Sequence, residues 1–354
     1  MSASAIVPEP FRIEPIFSPR IWGARSLAPL FPQKSNLAEP LGEAWLTGVD
    51  CKIATGVFAG KTLGVAWHEM PPEWRGLDLK SVEEFPLLVK FIFPTDKLSI
   101  QVHPDDAYAS VHEKAVGGRG KTEMWHIVSA ELGAQLLAGL KPGVTKEKFL
   151  ESLAAHTLED LFQAHPVHAG DTFFIPAGTP HTIGASMVVF EVQEYSDLTY
   201  RVYDYDRVDA HGKPRELHVE KALAVTEFSG KSRATLKPLQ WPCAELKNSL
   251  LAACPYFATE RWEVRDAIPV HRDAIRFHLL VFLMGTGKLQ WENGEMEYRP
   301  GECWLIPSAL DGYRLLPMVE TSLIRTYVPD LNAVRESLRR LGIAESRISE
   351  VVFE

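Results

Sequence analysis

The feature that most constrains this chain is a series of short runs rich in β-branched and aromatic residues, each closed by Pro or Gly. FPLLVKFIFP (85–94), KLSIQVHP (97–104), EMWHIVSA (123–130), DTFFIPAG (171–178) and MVVFEVQEY (187–195) follow one another with little helical sequence between them. Val, Ile, Phe, Tyr and Trp suit a pleated, half-buried surface, whereas Pro and Gly interrupt a ladder. The spacing predicts a mainly β fold built as a sandwich or barrel, without the strand–helix alternation of a parallel sheet. The 25 prolines and 24 glycines among 354 residues supply the punctuation. Helical pattern is limited. TKEKFLESLAAHTLEDLF (145–162) places Phe149, Leu150, Leu153, Leu158, Leu161 and Phe162 on roughly one side of a helix. DLNAVRESLRRLG (330–342) carries a basic last turn before Gly342 and reads as a terminal helix.

Residues 226–245 (TEFSGKSRATLKPLQWPCAE) mix Gly, Ser, Lys and Pro without a clear period, so a boundary is predicted there. It divides the chain into 1–235, with the short helical insertion near 145–162, and 236–354. The two parts share one internal similarity. GDTFFIPAGTPH (170–181) lies over GECWLIPSALDG (301–312), which sets Gly312 opposite His181. Two related β-domains, of which only the first keeps polar chemistry at the turn, would explain the match, as would chance in a β-rich chain.

Composition narrows the partners. Thirty-seven Lys and Arg against 46 Asp and Glu give a net charge of −9 with no basic block, an unfavourable balance for nucleic acid or a membrane surface. No apolar run approaches the roughly 18 residues of a membrane span. MSASAIVPEPFRIEP has no basic segment followed by an apolar one, so no signal peptide is read there. Cys51, Cys243, Cys254 and Cys303 form no CxxC pair, which fits reduced thiols and a cytoplasmic location.

Three segments could carry metal chemistry. Gln101 and His103, two apart in LSIQVHPDD, share one face of a strand and offer an amide oxygen and an imidazole together. Alternating polar residues on a half-exposed strand would look the same. Glu123 in GKTEMWHIV offers a carboxylate, with Lys121 on the same face; an exposed pair flanking a turn is the plainer reading. The Gly120-Lys121-Thr122 end of a phosphate loop is a false lead, since Ala115 stands where the first glycine is needed. His181 ends G-x5-P-x-G-x2-H, in which Pro176 and Gly178 set a tight turn that aims the imidazole inward. Together these residues supply two nitrogens and two oxygens, a set suited to Zn²⁺ or another borderline divalent ion. The other histidines, His126, His211 and His218 among them, have no such framing and read as surface or packing residues. Arg201, among Tyr200, Tyr203 and Tyr205 with Asp197 four positions earlier, is suited to stabilise an oxyanion or to pair with an Asp.

At this point the chain resembles the type I mannose-6-phosphate isomerases of the cupin superfamily, most of all their short bacterial branch. The matching stretches are IFSPRIWGARSL (16–27), LGEAWLTG (41–48), 85–109, GKTEMWHIV (120–128), GDTFFIPAGTPHTIG (170–184) and EVQEYSDLTYRVYDY (191–205). They run in family order over about two thirds of the chain. The resemblance implies two cupin-like β-barrel or jelly-roll domains with a few helices, the first binding metal and the second degenerate and ending in a helix. It implies one Zn²⁺ per chain on Gln101, His103, Glu123 and His181, catalytic roles for Arg201, Lys121 and Asp197, and substrate contacts, the phosphate included, from Lys90 and Ser99. Ala185 departs from the cupin pattern, which has Asn there, and Gln101 replaces a common His, against an oxidase-type site. The implied reaction interconverts mannose 6-phosphate and fructose 6-phosphate through a cis-enediol, in a monomer or weak homo-oligomer. The general base stays open among Lys121, Asp197, Glu191, a histidine and a metal-bound water. Another sugar-phosphate isomerase or epimerase, and a non-catalytic sugar-phosphate-binding regulator, are the competing readings.

Overall fold

The computed structural model describes residues 6–208, 212–231, 234–241 and 246–354; Cys243 and His211 lie outside them. The paired strands make two barrels, each a seven-stranded antiparallel sheet packed against a smaller one. In the first, the large sheet runs Thr235–Leu236, Thr172–Ile175, Glu123–Ala130, Met187–Glu194, Leu87–Ile92, Leu41–Trp45, Ile16–Ala24. Its small sheet runs Tyr200–Tyr203, Ile100–Val102, His181–Ile183, Gln135–Leu140, Phe162–Pro166. In the second, the large sheet runs Phe11–Ile13, Cys303–Ile306, His278–Met284, Thr321–Tyr327, Ala258–Val264, Lys247–Ala253, Leu239–Trp241. Ile268–His271, Gly312–Pro317, Gly287–Trp291 and Gly294–Tyr298 complete it. The sheet assignment changes between Leu236 and Leu239, while Phe11–Ile13 crosses to pair with Cys303–Leu305 of the other barrel.

The long apolar run 85–94 is explained by a sheet buried on both faces. Successive side chains alternate: Ile92, Trp125, Ile127 and Val189 fill the first barrel, whereas Val89, Phe91, Met124 and Val192 point outward and meet Phe277, Leu279 and Val281 of the second. Trp67, from the helix Leu63–Glu69, closes this seam with ring centroids 5.2 Å from Phe85 and 5.5 Å from Phe277. The alternation also sends His126 into the seam, where its Nδ1 lies 3.1 Å from Thr172 Oγ1. His126 therefore faces away from Glu123 and Trp125.

The internal similarity is structural. His181 and Gly312 each begin a strand of a small sheet, six residues beyond an equivalent isoleucine, Ile175 or Ile306, in a large sheet. Ladder pairs extend the equivalence. Glu123 faces Ile175 as His278 faces Ile306, and Gln101 faces His181 as His271 faces Gly312. The pair Lys90 and Glu191 becomes Glu260 and Arg325.

The helix expected over 145–162 is shorter. It spans Lys146–Ala154, capped by Thr145 Oγ1, and His156 turns left-handed at φ 56°. Leu158–Leu161 is then a single 3₁₀ turn, and Phe162 already opens a strand. Phe149, Leu158, Leu161 and Phe162 share one core without sharing one helix, and Leu150 is exposed. The strand expected over 97–104 contracts to Ile100–Val102. The terminal helix Leu331–Arg340 stands, capped by Asp330.

Candidate active site

His103 just past Ile100–Val102, Glu123 at the start of Glu123–Ala130 and His181 at the start of His181–Ile183 meet as three sequence-distant candidate ligands at one end of the first barrel. Strand alternation turns Glu123 inward, and the Pro176–Gly178 turn (Gly178 at φ 84°) delivers His181 to the start of its strand. One ligand atom from each of His103, Glu123 and His181 lies within 4.8 Å of the others. All three side chains are almost wholly buried.

The surroundings prepare these groups for a cation. His103 Nδ1 and His181 Nδ1 each lie 2.8 Å from a backbone carbonyl, Leu198 O and Thr179 O. Each therefore donates from Nδ1 and keeps its Nε2 lone pair for the cluster, the tautomer a metal needs. His103 Nε2 is 3.3 Å from Glu123 Oε1, and His181 Nε2 is 3.8 Å from Glu123 Oε2. Burial, reinforced by the Lys121 charge, pushes His103 well below the ordinary imidazole range. Burial also outweighs the Thr179 carbonyl bond and takes His181 down to about 4. Both rings are neutral at pH 7. Among the described residues Glu123 Oε2 is buried without a hydrogen-bond partner, an unused acceptor in the middle of the cluster that a cation can take. Gln101 Nε2 stands 3.3 Å from His181 Nε2, so half a turn of the amide would present Oε1 in its place. The residues present fit a divalent metal.

Lys121 reaches into the same cluster. Its ammonium donates to Glu123 Oε1 and lies 3.2 Å from His103 Nε2. Burial lowers its pKa to about 8, aided by Lys90 and opposed by Glu191. Lys90 Nζ is 2.8 Å from Glu191 Oε2, and Trp125 Nε1 donates to Glu191 Oε1 at 2.8 Å. Burial opposes both charges of that pair. The pair's mutual attraction nonetheless raises Lys90 and lowers Glu191.

Gln101 and Lys121 form the floor of a cavity of about 520 Å³. Lys90, Ser99, Asp197 and Arg201 also line it, so every residue singled out from the sequence reaches either the buried trio or this cavity. Arg201 faces Gln101 across the ladder, and its Nε donates to Ser99 Oγ at 3.2 Å.

Residues 11–128 match the catalytic domain of type I phosphomannose isomerases. The chain is also 33% identical over 307 residues to the mannose-6-phosphate isomerase of Streptococcus mutans, covering 86% of this chain and 95% of that protein. The chain belongs to the type I phosphomannose isomerase family. The mannose 6-phosphate isomerase structure from Bacillus subtilis superposes with a TM-score of 0.82 at 28% identity, over 90% of this chain and 99% of that one. A zinc-bound mannose 6-phosphate isomerase shares the fold at a TM-score of 0.69 and 15% identity, over 90% and 99% of the two chains.

For a phosphomannose isomerase the cavity holds more than the sequence reading singled out. Arg20, Glu43, Arg215 and His218 line it as well. Arg20 and Glu43 fall in the matched stretches SPRIWG and LGEAW, a signal that carried no role of its own. His218, which the sequence alone marks only as a surface or packing residue, is among these lining residues. The backbone N–H of Arg201 donates to its Nδ1 at 3.3 Å, and the His218 N–H returns a bond to Arg201 O at 2.7 Å. No local framing announces that pairing, because it joins strand and loop 17 residues apart.

Proposed function

We propose that the protein interconverts mannose 6-phosphate and fructose 6-phosphate through a cis-enediol, using one zinc ion per chain held by Gln101, His103, Glu123 and His181. The observation that carries this reading is the buried His103–Glu123–His181 trio set directly behind a cationic, sugar-sized cavity. Two nitrogens and two oxygens suit zinc, and the zinc-bound relative supports that choice. When bound, such an ion supplies a fixed positive charge against the oxygen on which negative charge develops.

The chain's own residues supply the rest. Arg201, held by Ser99 and by the Glu216 carbonyl at 3.0 Å, aims a permanent charge into the cavity beside Gln101 and stabilises the enediolate oxygen. Lys121 inside and Asp197 at the rim handle the proton that leaves one carbon and returns to its neighbour. Lys90, fixed by Glu191, and Ser99 hold the sugar against the inner wall. The Ile92, Leu98 and Ile183 side chains exclude water from the apolar side. On this reading the protein works in the cytoplasm on a small-molecule sugar phosphate.

A coupled assay of mannose 6-phosphate turnover, before and after chelation and with zinc added back, tests it. Turnover lost on chelation and restored by zinc is expected. Metal held without turnover of either hexose phosphate would overturn the isomerase reading and favour a binding role.

A further inference from the structure

The cavity is more cationic than the chain around it. Arg20, Lys90, Lys121, Arg201 and Arg215 line it against the carboxylates of Glu43, Glu191 and Asp197, in a chain whose net charge is −9. The inner cations are spoken for, Lys90 by Glu191 and Lys121 by Glu123. Among the described residues no carboxylate lies within 4 Å of Arg201. Burial and then the charges of Arg215, Arg20 and Arg207 make its cation less favourable than usual, with Asp204 opposing. Arg201 thus carries an uncompensated charge in the outer wall, beside Arg20 and Arg215, which are paired with Glu43 and Asp204.

Two arginines there are positioned by their neighbours while retaining free donors. Arg215 spends Nε (2.7 Å to Oδ2) and Nη2 on Asp204, leaving Nη1 unengaged among the described residues. Asp204 is itself anchored by Arg207 Nη2 at 2.7 Å. Arg20 uses Nη1 on Ser18 Oγ and Pro19 O and Nη2 on Glu43 Oε2 at 2.7 Å, leaving Nε unengaged among the described residues. The backbone is shaped to put it there. Pro19 and Ala24 both face Leu41, so residues 20–23 bulge out of the ladder and over Gly42. A Cβ on Gly42 would come 2.5 Å from Arg20 Cβ and 2.6 Å from the Trp22 ring.

We propose that Arg20 and Arg215 form the clamp for the substrate's phosphate group. Arginine forks match a phosphate's oxygens, and a dianion answers the cavity's surplus charge. The placement follows from the floor. Arg201 stands across the ladder from Gln101, so the reacting end of the sugar lies inward and the phosphate outward. Phosphate recognition thereby lies away from Lys90, which is buried at the inner wall beside Glu191. The proposal rests on the isomerase reading for the identity of the sugar, and on these two arginines for the anion.

Arg215→Ala and Arg20→Ala test it, with Arg215→Lys as the conservative partner. Asp204 keeps Arg207, and Glu43 keeps the Trp45 Nε1 bond at 2.9 Å, so each variant leaves its neighbour partnered. Each alanine variant should raise KM for mannose 6-phosphate roughly 10- to 100-fold, the worth of one charged hydrogen-bonded contact. The kcat should change less than about threefold on the same reasoning. Competitive inhibition by inorganic phosphate should weaken in parallel, and Arg215→Lys should recover part of it. Unchanged KM and phosphate inhibition in both variants, or a fall in kcat at constant KM, overturns the clamp. Thermal protection of the protein by inorganic phosphate separates the two claims. A wild type that turns over no hexose phosphate but loses that protection on Arg215→Ala leaves the clamp standing and removes only the isomerase.

Discussion

The two barrels share a strand order and differ at the place proposed to hold the cation of the first. In the first, Lys121 pairs with one oxygen of Glu123, while the other oxygen and two neutral imidazoles stay free for an ion, and Lys90 with Glu191 flank them. In the second, the equivalent of Glu123 is His278, the equivalent of Gln101 is His271, and Gly312 replaces His181. His103 counts across to Asp273. The flanking pair is reversed in sign, Glu260 for Lys90 and Arg325 for Glu191. Arg325 Nη2 lies 2.8 Å from His278 Nε2, its Nη1 lies 3.5 Å from Glu260, and His278 Nε2 lies 3.2 Å from Asp273. The guanidinium therefore occupies the role of the ion with a covalently attached charge. The comparison sets a fixed cation in the second barrel against a removable one proposed for the first, and only a removable one leaves room for chemistry. The strand carrying Arg201 has no counterpart in the second barrel's small sheet, which ends at Ile268–His271.

That contrast can be broken from either side. Glu123→Gln should abolish metal retention and lower kcat by about 10³-fold or more, since several kcal/mol of charge stabilisation depends on the ion. Its unfolding transition should stay cooperative. Arg325→Met should do the reverse. Removing the cation leaves buried Glu260 without its counter-charge, with only neutral hydrogen-bond partners such as Trp262 and Tyr327, while Asp273 keeps Arg276. The cost should be about 3 kcal/mol or more in denaturant unfolding, with kcat/KM of the folded enzyme unchanged. A fall in activity without a loss of stability would contradict the division of labour.

Gly312 offers a finer probe. It sits at φ 147°, and a Cβ there would come 2.9 Å from the Val270 carbonyl. Gly312→His should cost about 2 kcal/mol of strain and add no metal, showing that the second barrel cannot regain its ligand by one substitution. A second bound zinc in that variant would sink the claim. Per pH unit, a smaller effect lies in His278. Burial, then the Arg325 charge, lower His278 to about 4, against the pull of Asp273. Above pH 6.5 the ring is neutral both folded and unfolded. Below it the unfolded chain takes up a proton that the fold refuses, so stability falls as pH drops from 6.5 towards 4, by up to about 1.4 kcal/mol per pH unit. Urea unfolding of His278→Gln across that range should have a slope shallower by about one proton.

Much of the site was legible because its signals are local. Gln101 and His103 share a strand face two residues apart, and Pro176 with Gly178 frames His181 within one turn. The overlay of 170–181 on 301–312 likewise rests on two short strand–turn units, and the ladders extend it residue by residue. Arg20, Arg215 and His218 were not legible in this way. Arg20 depends on a bulge over Gly42, Arg215 on Asp204, and His218 on the backbone of Arg201, contacts made only after folding. The helix at 145–162 was overextended for a related reason. Leu158, Leu161 and Phe162 are apolar because they enter the same core as Phe149, by a separate turn and strand whose break at His156 the periodicity does not mark.

The most direct test counts metal per chain by elemental analysis in the zinc-loaded wild type, Glu123→Gln and Arg325→Met, with mannose 6-phosphate turnover measured on the same samples. One zinc in the wild type and in Arg325→Met, none in Glu123→Gln, and turnover that follows the zinc are the predicted results. Zinc retained by Glu123→Gln, or turnover that persists without it, would contradict the assignment of the chemistry to the first barrel.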